Sequence, residues 1–306
     1  MTEKRVAEAS SLRHYFQEQW GLLMGLLDEQ SRLRDERSAN KERVEASIEA
    51  VVSGTDPRVR SASGYRKRLR GGAAALLRHI ESLVDALPPA LLISKATYLH
   101  NPQVSSLFAN MDEVRQLCSD LFHLHDCPIT DEHSRAEQVF FLLFLNYQEK
   151  SILGTQMVGE IIQREVHQTS IVFWGHRLLE PSLTEDEARR LLKQVLYENV
   201  TRYMRTRMTH LRHGQQGEVT GLIPPDQDIR NPEIYLSHIL EYLELPQDLI
   251  TIVANTVHIN RMGIKVGEGN DHGGETIHLS ELDIGEEPQK LVSIVAIPSE
   301  VLNSSR

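Results

Sequence analysis

The chain has little cysteine, no long apolar run, and a strongly basic window without an acid. Its 306 residues include only two cysteines, Cys118 and Cys127. Two cysteines cannot form a disulfide framework for a chain of this size, so a reducing, cytoplasmic compartment is expected. The longest apolar runs, such as Val139–Leu145, fall far short of the roughly 20 residues that span a bilayer. Met1-Thr2-Glu3-Lys4-Arg5 leads into a polar helical pattern and not into an apolar signal core. Asn303-Ser304-Ser305-Arg306 matches no lipidation signal.

Familiar chemical motifs are missing as well. The sequence holds no GxxxxGK[ST] loop, no GxGxxG after a strand, no GxSxG elbow, no HExxH helix and no kinase motif set. Gly267-Glu268-Gly269 lacks a third glycine and sits in an acidic stretch, the wrong setting for a pyrophosphate. These absences lower the expectation of a large enzyme superfamily. No cofactor is expected and no small-molecule substrate is indicated.

Against a formal net charge of −10, residues 57–80 contain neither Asp nor Glu. That window carries Arg58, Arg60, Arg66, Lys67, Arg68, Arg70 and Arg78. A second acid-free stretch, 199–217, carries Arg202, Arg205, Arg207 and Arg212 with His210 and His213. Guanidinium forks suit phosphate oxygens, and Tyr65 could stack on a base. Two readings follow. The arginines contact an external anion, or they pair with the acidic segments 81–137 and 214–306, which carry net charges of −6 and −10.

The periodicity predicts an α+β protein. Residues 1–127 read as an all-helical region, with one long amphipathic helix over about 4–53 and shorter helices to 125. Leu12, Phe16, Trp20, Leu23 and Leu27 form an apolar stripe, a candidate surface for a partner chain or self-association. Gly54-Thr55-Asp56-Pro57 predicts a helix stop and restart, with Asp56 as N-cap and Pro57 in the first turn. Ala73, Leu76, Leu77, Ile80, Leu83, Val84 and Leu87 mark a helix ended by Pro88-Pro89. Helices are also expected around 102–109 and 111–125.

Residues 128–306 read as an antiparallel β-sheet domain with packed helices, its β-rich stretches at 138–176 and 249–298. Val139–Leu145 suits a strand buried on both faces. Ile152–Val158 and Ile161–Val166 predict a hairpin around Gly159, and Thr169–Trp174 a fourth strand of one meander. Thr184 and Glu187 form a capping box that opens a helix to about His213. Asn231-Pro232 starts another helix. Leu249–Ile259, Met262–Val266, Thr276–Leu282 and Lys290–Ile297 complete the strands. Each β-rich stretch is small alone, so one composite sheet is expected.

Cys118, His123, His125 and Cys127 are the one cluster of soft metal ligands. Zinc needs about four converging ligands. On a helix, Cys118 and His125 share one face and His123 and Cys127 another, so unwinding near His125 would be needed to gather them. The spacing lacks a CxxC pair, and Cys118 fits equally well as a small core residue. Together these features point to a non-enzymatic interaction or regulatory protein that binds a protein partner through its helical N-terminal region and basic block. A nucleic-acid or other polyanion binder is the alternative. An enzyme or metal-binding protein without a readable motif is the third reading.

Overall fold

A computed structural model describes residues 41–123, 129–158, 161–213, 231–260, 263–266 and 274–304. The stripe residues Leu12, Phe16, Trp20, Leu23 and Leu27 lie outside the described residues, as do His125 and Cys127.

The first described helix, α1 (41–54), begins exposed and ends in the core through Ile48, Val51 and Val52. Asp56 then caps a short 3-10 turn, Pro57–Ser61, by accepting from the Arg58 N–H at 3.0 Å. Helix α2 (Tyr65–Asp85) follows, with Leu69, Ala73, Leu76, Ile80 and Val84 buried on one stripe. It starts eight residues before the first apolar position predicted for it, so Arg66, Lys67, Arg68 and Arg70 are helical. Strand β1 (Leu91–Leu92) interrupts the helical region. Three helices come next: α3 (Lys95–His100), α4 (Pro102–Leu107) and α5 (Met111–His123). α3 was not predicted, although Ser94 and Thr97 form a reciprocal cap at its start. A short helix α6 (Asp131–Arg135) follows.

The two β-rich stretches form one sheet. Its strands are β2 (Gln138–Val158), β3 (Ile161–Ser182), β4 (Ile250–Ile259), β5 (Glu275–Ile284) and β6 (Lys290–Pro298). Their order is β3-β2-β6-β5-β4, all antiparallel, and β1 adds to β6 in parallel. Helix α7 (Glu185–His213) separates the stretches, followed by α8 (Pro232–Glu244) and α9 (Pro246–Leu249). Helix α10 (Ser299–Asn303) ends the described chain.

Side-chain alternation puts helices on both faces of this sheet. Phe140, Leu142, Phe144, Val292, Ile294 and Ala296 join one core with α1, α2, α7 and α8. Val139, Phe141, Leu143, Leu145, Leu291, Val295 and Ile297 join the opposite core with α4, α5 and α10. Two covered faces explain why Val139–Leu145 carries no polar residue. Among the described residues, no helix is long and apolar enough to cross a membrane.

The expected four-strand meander over 138–176 is instead two strands of 21 and 22 residues. Three register shifts bend the pair. Each coincides with a positive-φ residue on β3: Glu165 (φ 61), Gly175 (φ 68) and Glu180 (φ 51). A bulge absorbs one extra residue and increases the twist without ending the strand. Residues 177–182, beyond the predicted β-rich stretch, therefore continue β3. The predicted strand Met262–Val266 makes only isolated bridges, Ser170↔Ile264 and Ile259↔Lys265. Those bridges join the end of β4 to the outer edge of β3, so the sheet curls towards closure.

Candidate functional site

The two basic stretches meet at the C-terminus of α1. Arg205 on α7 donates to the Gly54 carbonyl, and to that of Ser53 at 3.1 Å. Arg60 donates to the Ser53 hydroxyl at 2.7 Å. Helix-terminal carbonyls carry partial negative charge, so this is a favourable place for guanidinium groups.

Most of the remaining arginines in the block face carboxylates. Arg58 pairs with the buried Asp56 at 3.0 Å and lies 4.8 Å over the Tyr235 ring. Arg60 and Arg66 share Glu49, at 3.3 and 2.9 Å. Arg68 pairs with Glu233 on α8, Arg70 with Glu45 and Arg207 with Glu286. Arg202 donates to Asn199 at 2.6 Å. Lys67 is exposed, and its ammonium has no partner among the described residues. The hydroxyl of Tyr65, followed by the guanidinium of Arg66, holds the Glu49 carboxyl below its ordinary value. Arg68 does the same for Glu233. Depressed carboxyl values mean that these contacts favour the fold above the ordinary carboxylate range and are lost as pH falls through it.

A cleft of about 400 Å³ lies between α7 and the bulged part of the sheet. Phe144, Leu179, Val195, Leu282 and Ile284 give it an apolar floor. Arg177, Arg202 and Lys290 face Glu180, Glu198 and Glu287 around its rim, so its charge is balanced. The bulges at Gly175 and Glu180 flank Arg177. Arg177 lies one residue past the predicted β-rich stretch 138–176, so periodicity did not place it on a strand beside this cleft.

The soft-ligand cluster is only partly described. Cys118 is fully buried on α5, in the core beneath the sheet, and His123 ends that helix. Among the described residues, no group of three or more His, Cys, Asp and Glu is arranged to hold a metal. Burial pushes the Cys118 thiol up to about 12.

Two polar arrangements escaped the sequence reading. His176, whose side chain is 5% exposed, lies 3.1 Å from the Glu113 carboxylate and 2.7 Å from the Leu107 carbonyl. Its ring stacks on Phe108 at 5.0 Å, tying α4 and α5 to β3. Glu281, nearly buried on β5, accepts from the Tyr147 hydroxyl at 2.7 Å, Asn255 at 2.9 Å and Gln289 at 3.0 Å. Burial, then the Glu281 contact, pushes the Tyr147 phenol up to about 12. Tyr197 is shifted the same way, chiefly by burial.

These three groups predict alkaline sensitivity. The unfolded chain loses its protons near pH 9–10, while the folded chain keeps them to higher pH. Raising pH therefore favours unfolding. For the buried Cys118 the expected loss is about 1.4 kcal/mol per pH unit above 9, until its folded value is reached. Urea unfolding at stepped pH, compared with Cys118→Ala, checks this. A slope unchanged by the substitution contradicts it.

Among the described residues, the distal part of the β2–β3 pair exposes apolar side chains. β6 pairs with β2 only as far as Leu145. Beyond that point β2 and β3 run on as a two-stranded ribbon, from Asn146↔Trp174 to Val158↔Ile161. Trp174 is 54% exposed, Leu153 64% and Ile152 37%. The apolar runs were legible in the sequence, but their lack of a covering helix was not. Comparison with protein-family models, with curated proteins and with solved structures finds no match.

Proposed function

We propose that this chain is a non-enzymatic interaction protein that engages another protein chain. The contact surfaces are the apolar stripe Leu12, Phe16, Trp20, Leu23 and Leu27 and the distal β2–β3 ribbon. The observation that carries this reading is the ribbon. A two-stranded β-element is marginal alone in water, and this one extends past its sheet with Ile152, Leu153 and Trp174 exposed. The polyanion reading has weaker support, because Arg60, Arg66, Arg68 and Arg70 already face carboxylates within the fold.

Light scattering on size-separated full-length protein tests the proposal. The unmodified chain is expected to form an assembly. A chain carrying Phe16→Ser, Trp20→Ser and Leu23→Ser together with Ile152→Lys is expected to be monomeric with an unchanged melting temperature. An assembly that survives all four substitutions overturns the proposed surfaces.

A further inference from the structure

We infer that β2 pairs edge to edge with β2 of a second copy of this chain, antiparallel, about a twofold axis at Ile152. The inference rests on the interaction reading above and names its partner.

The Ile171 N–H donates to the Gly263 carbonyl at 2.8 Å, and the Lys265 N–H donates to the Thr169 carbonyl at 2.7 Å. Thr169 and Ile171 therefore turn their main-chain groups away from β2. Antiparallel strands alternate in this respect, so Ser170 and Val172 bond to their partners Lys150 and Gln148. On β2 it follows that Glu149, Ser151 and Leu153 direct their N–H and C=O groups to the edge that β6 leaves open beyond Leu145.

The two edges of the ribbon differ. The outer edge of β3 is occupied at Thr169–Ile171 by residues 263–265 and is broken by the bulge at Glu165. Cover and bulges are the devices by which proteins stop strand addition. From Glu149 to Leu153 β2 has neither, and no proline; the bulge at Glu165 falls opposite Gly154 and Thr155, where the Gln168 side chain donates to the Thr155 carbonyl at 3.4 Å. With one edge open and one blocked, pairing closes at two copies and does not propagate into a fibre.

Register follows from charge. An antiparallel edge is complementary to itself about a twofold axis, and outward-facing residues must meet outward-facing residues. Centring on Glu149 or Lys150 opposes like charges. Centring on Ser151 places Glu149 and Lys150 over Leu153 and Ile152. Centring on Ile152 places Ile152 on Ile152, Ser151 on Leu153, Lys150 on Gly154 and Glu149 on Thr155. Centring on Leu153 is free of charge conflict as well. Ile152, however, falls on the non-hydrogen-bonded position, where side chains approach most closely. That register engages Ile152 and Leu153, the two exposed apolar residues of β2 in the ribbon.

Register-specific cross-linking tests this in the full chain. Opposed residues at a non-hydrogen-bonded position have Cα atoms about 4.5 Å apart, within the range a disulfide spans. In a Cys127→Ser background, Ile152→Cys is expected to give a disulfide-linked dimer under mild oxidation. Gln148→Cys, displaced along the strand, is expected to give at least about tenfold less. In the unmodified chain, amide exchange at Glu149, Ser151 and Leu153 is expected to slow as concentration rises. Equal cross-linking at both positions, or exchange indifferent to concentration, overturns the inference. If either result accompanies an assembly that Phe16→Ser, Trp20→Ser and Leu23→Ser dissolve, the interaction reading stands and only the β2 pairing fails. If it accompanies a monomer, self-pairing is overturned at every surface.

Discussion

Phe141→Ala is expected to lower the free energy of unfolding by about 3–5 kcal/mol, a large part of the margin a domain usually has. Phe141 has no exposed surface, and it sits where β2 is flanked by β3 and β6. Its ring points into the core shared with Val104, Leu107, Phe108 and Leu121 from α4 and α5. A sheet held on both sides cannot collapse into the space left behind, so the cavity cost adds to the lost transfer energy. Denaturant unfolding checks the value, with Leu99→Ala as a control. Leu99 is 67% exposed, and its truncation is expected to stay within about 0.5 kcal/mol. Similar small effects for both residues would contradict the placement of Phe141.

Gly285→Ala is expected to cost about 3 kcal/mol, although it adds one methyl group in a turn. Gly285 has φ 56, the left-handed region that glycine occupies without strain. A side chain there would also meet the nearly buried Tyr203 of α7, its Cβ 2.1 Å from the ring Cζ. The turn cannot simply move away, because the Gly285 N–H donates to the Leu249 carbonyl at 3.0 Å. Strain and overpacking therefore add. Tyr203→Leu alone loses packing, but in combination with Gly285→Ala it is expected to recover the overpacking part and leave the backbone strain. A double-mutant cycle on thermal unfolding measures this coupling. Strict additivity would place the glycine away from the ring.

Local chemistry made part of this fold readable. Asp56 before Pro57 and Thr184 before Glu187 act within three residues: Asp56 caps as predicted, and the Glu187 N–H donates to the Thr184 hydroxyl at 3.2 Å, while the Glu187 carboxylate accepts from the Leu183 N–H at 3.4 Å where the capping box has the Thr184 N–H. The stripe of α2 and the apolar run Val139–Leu145 follow from periodicity alone. The single sheet was foreseen from the size of its halves, and its strand order was not. That order depends on pairing between segments more than 100 residues apart, such as Phe141 with Val295. The basic block has the same character. Arg68 finds its carboxylate on Glu233, 165 positions away, and no window on the sequence reveals that. The bulges were missed because they let β3 run through Gly175 and Glu180, residues that a periodic reading takes for a break. The open edge of β2 likewise depends on long-range pairing, since β6 leaves β2 unpaired beyond Leu145.

We propose above that this chain works by association with another protein chain. Native mass spectrometry of the untagged full-length protein, purified at low salt and sampled over a range of concentrations, tests it most directly. The account predicts a dimer whose fraction rises with concentration and which carries no bound small molecule. A monomer at every concentration, holding a metal ion or a small molecule, would contradict it and point instead to the cleft around Arg177 and Arg202.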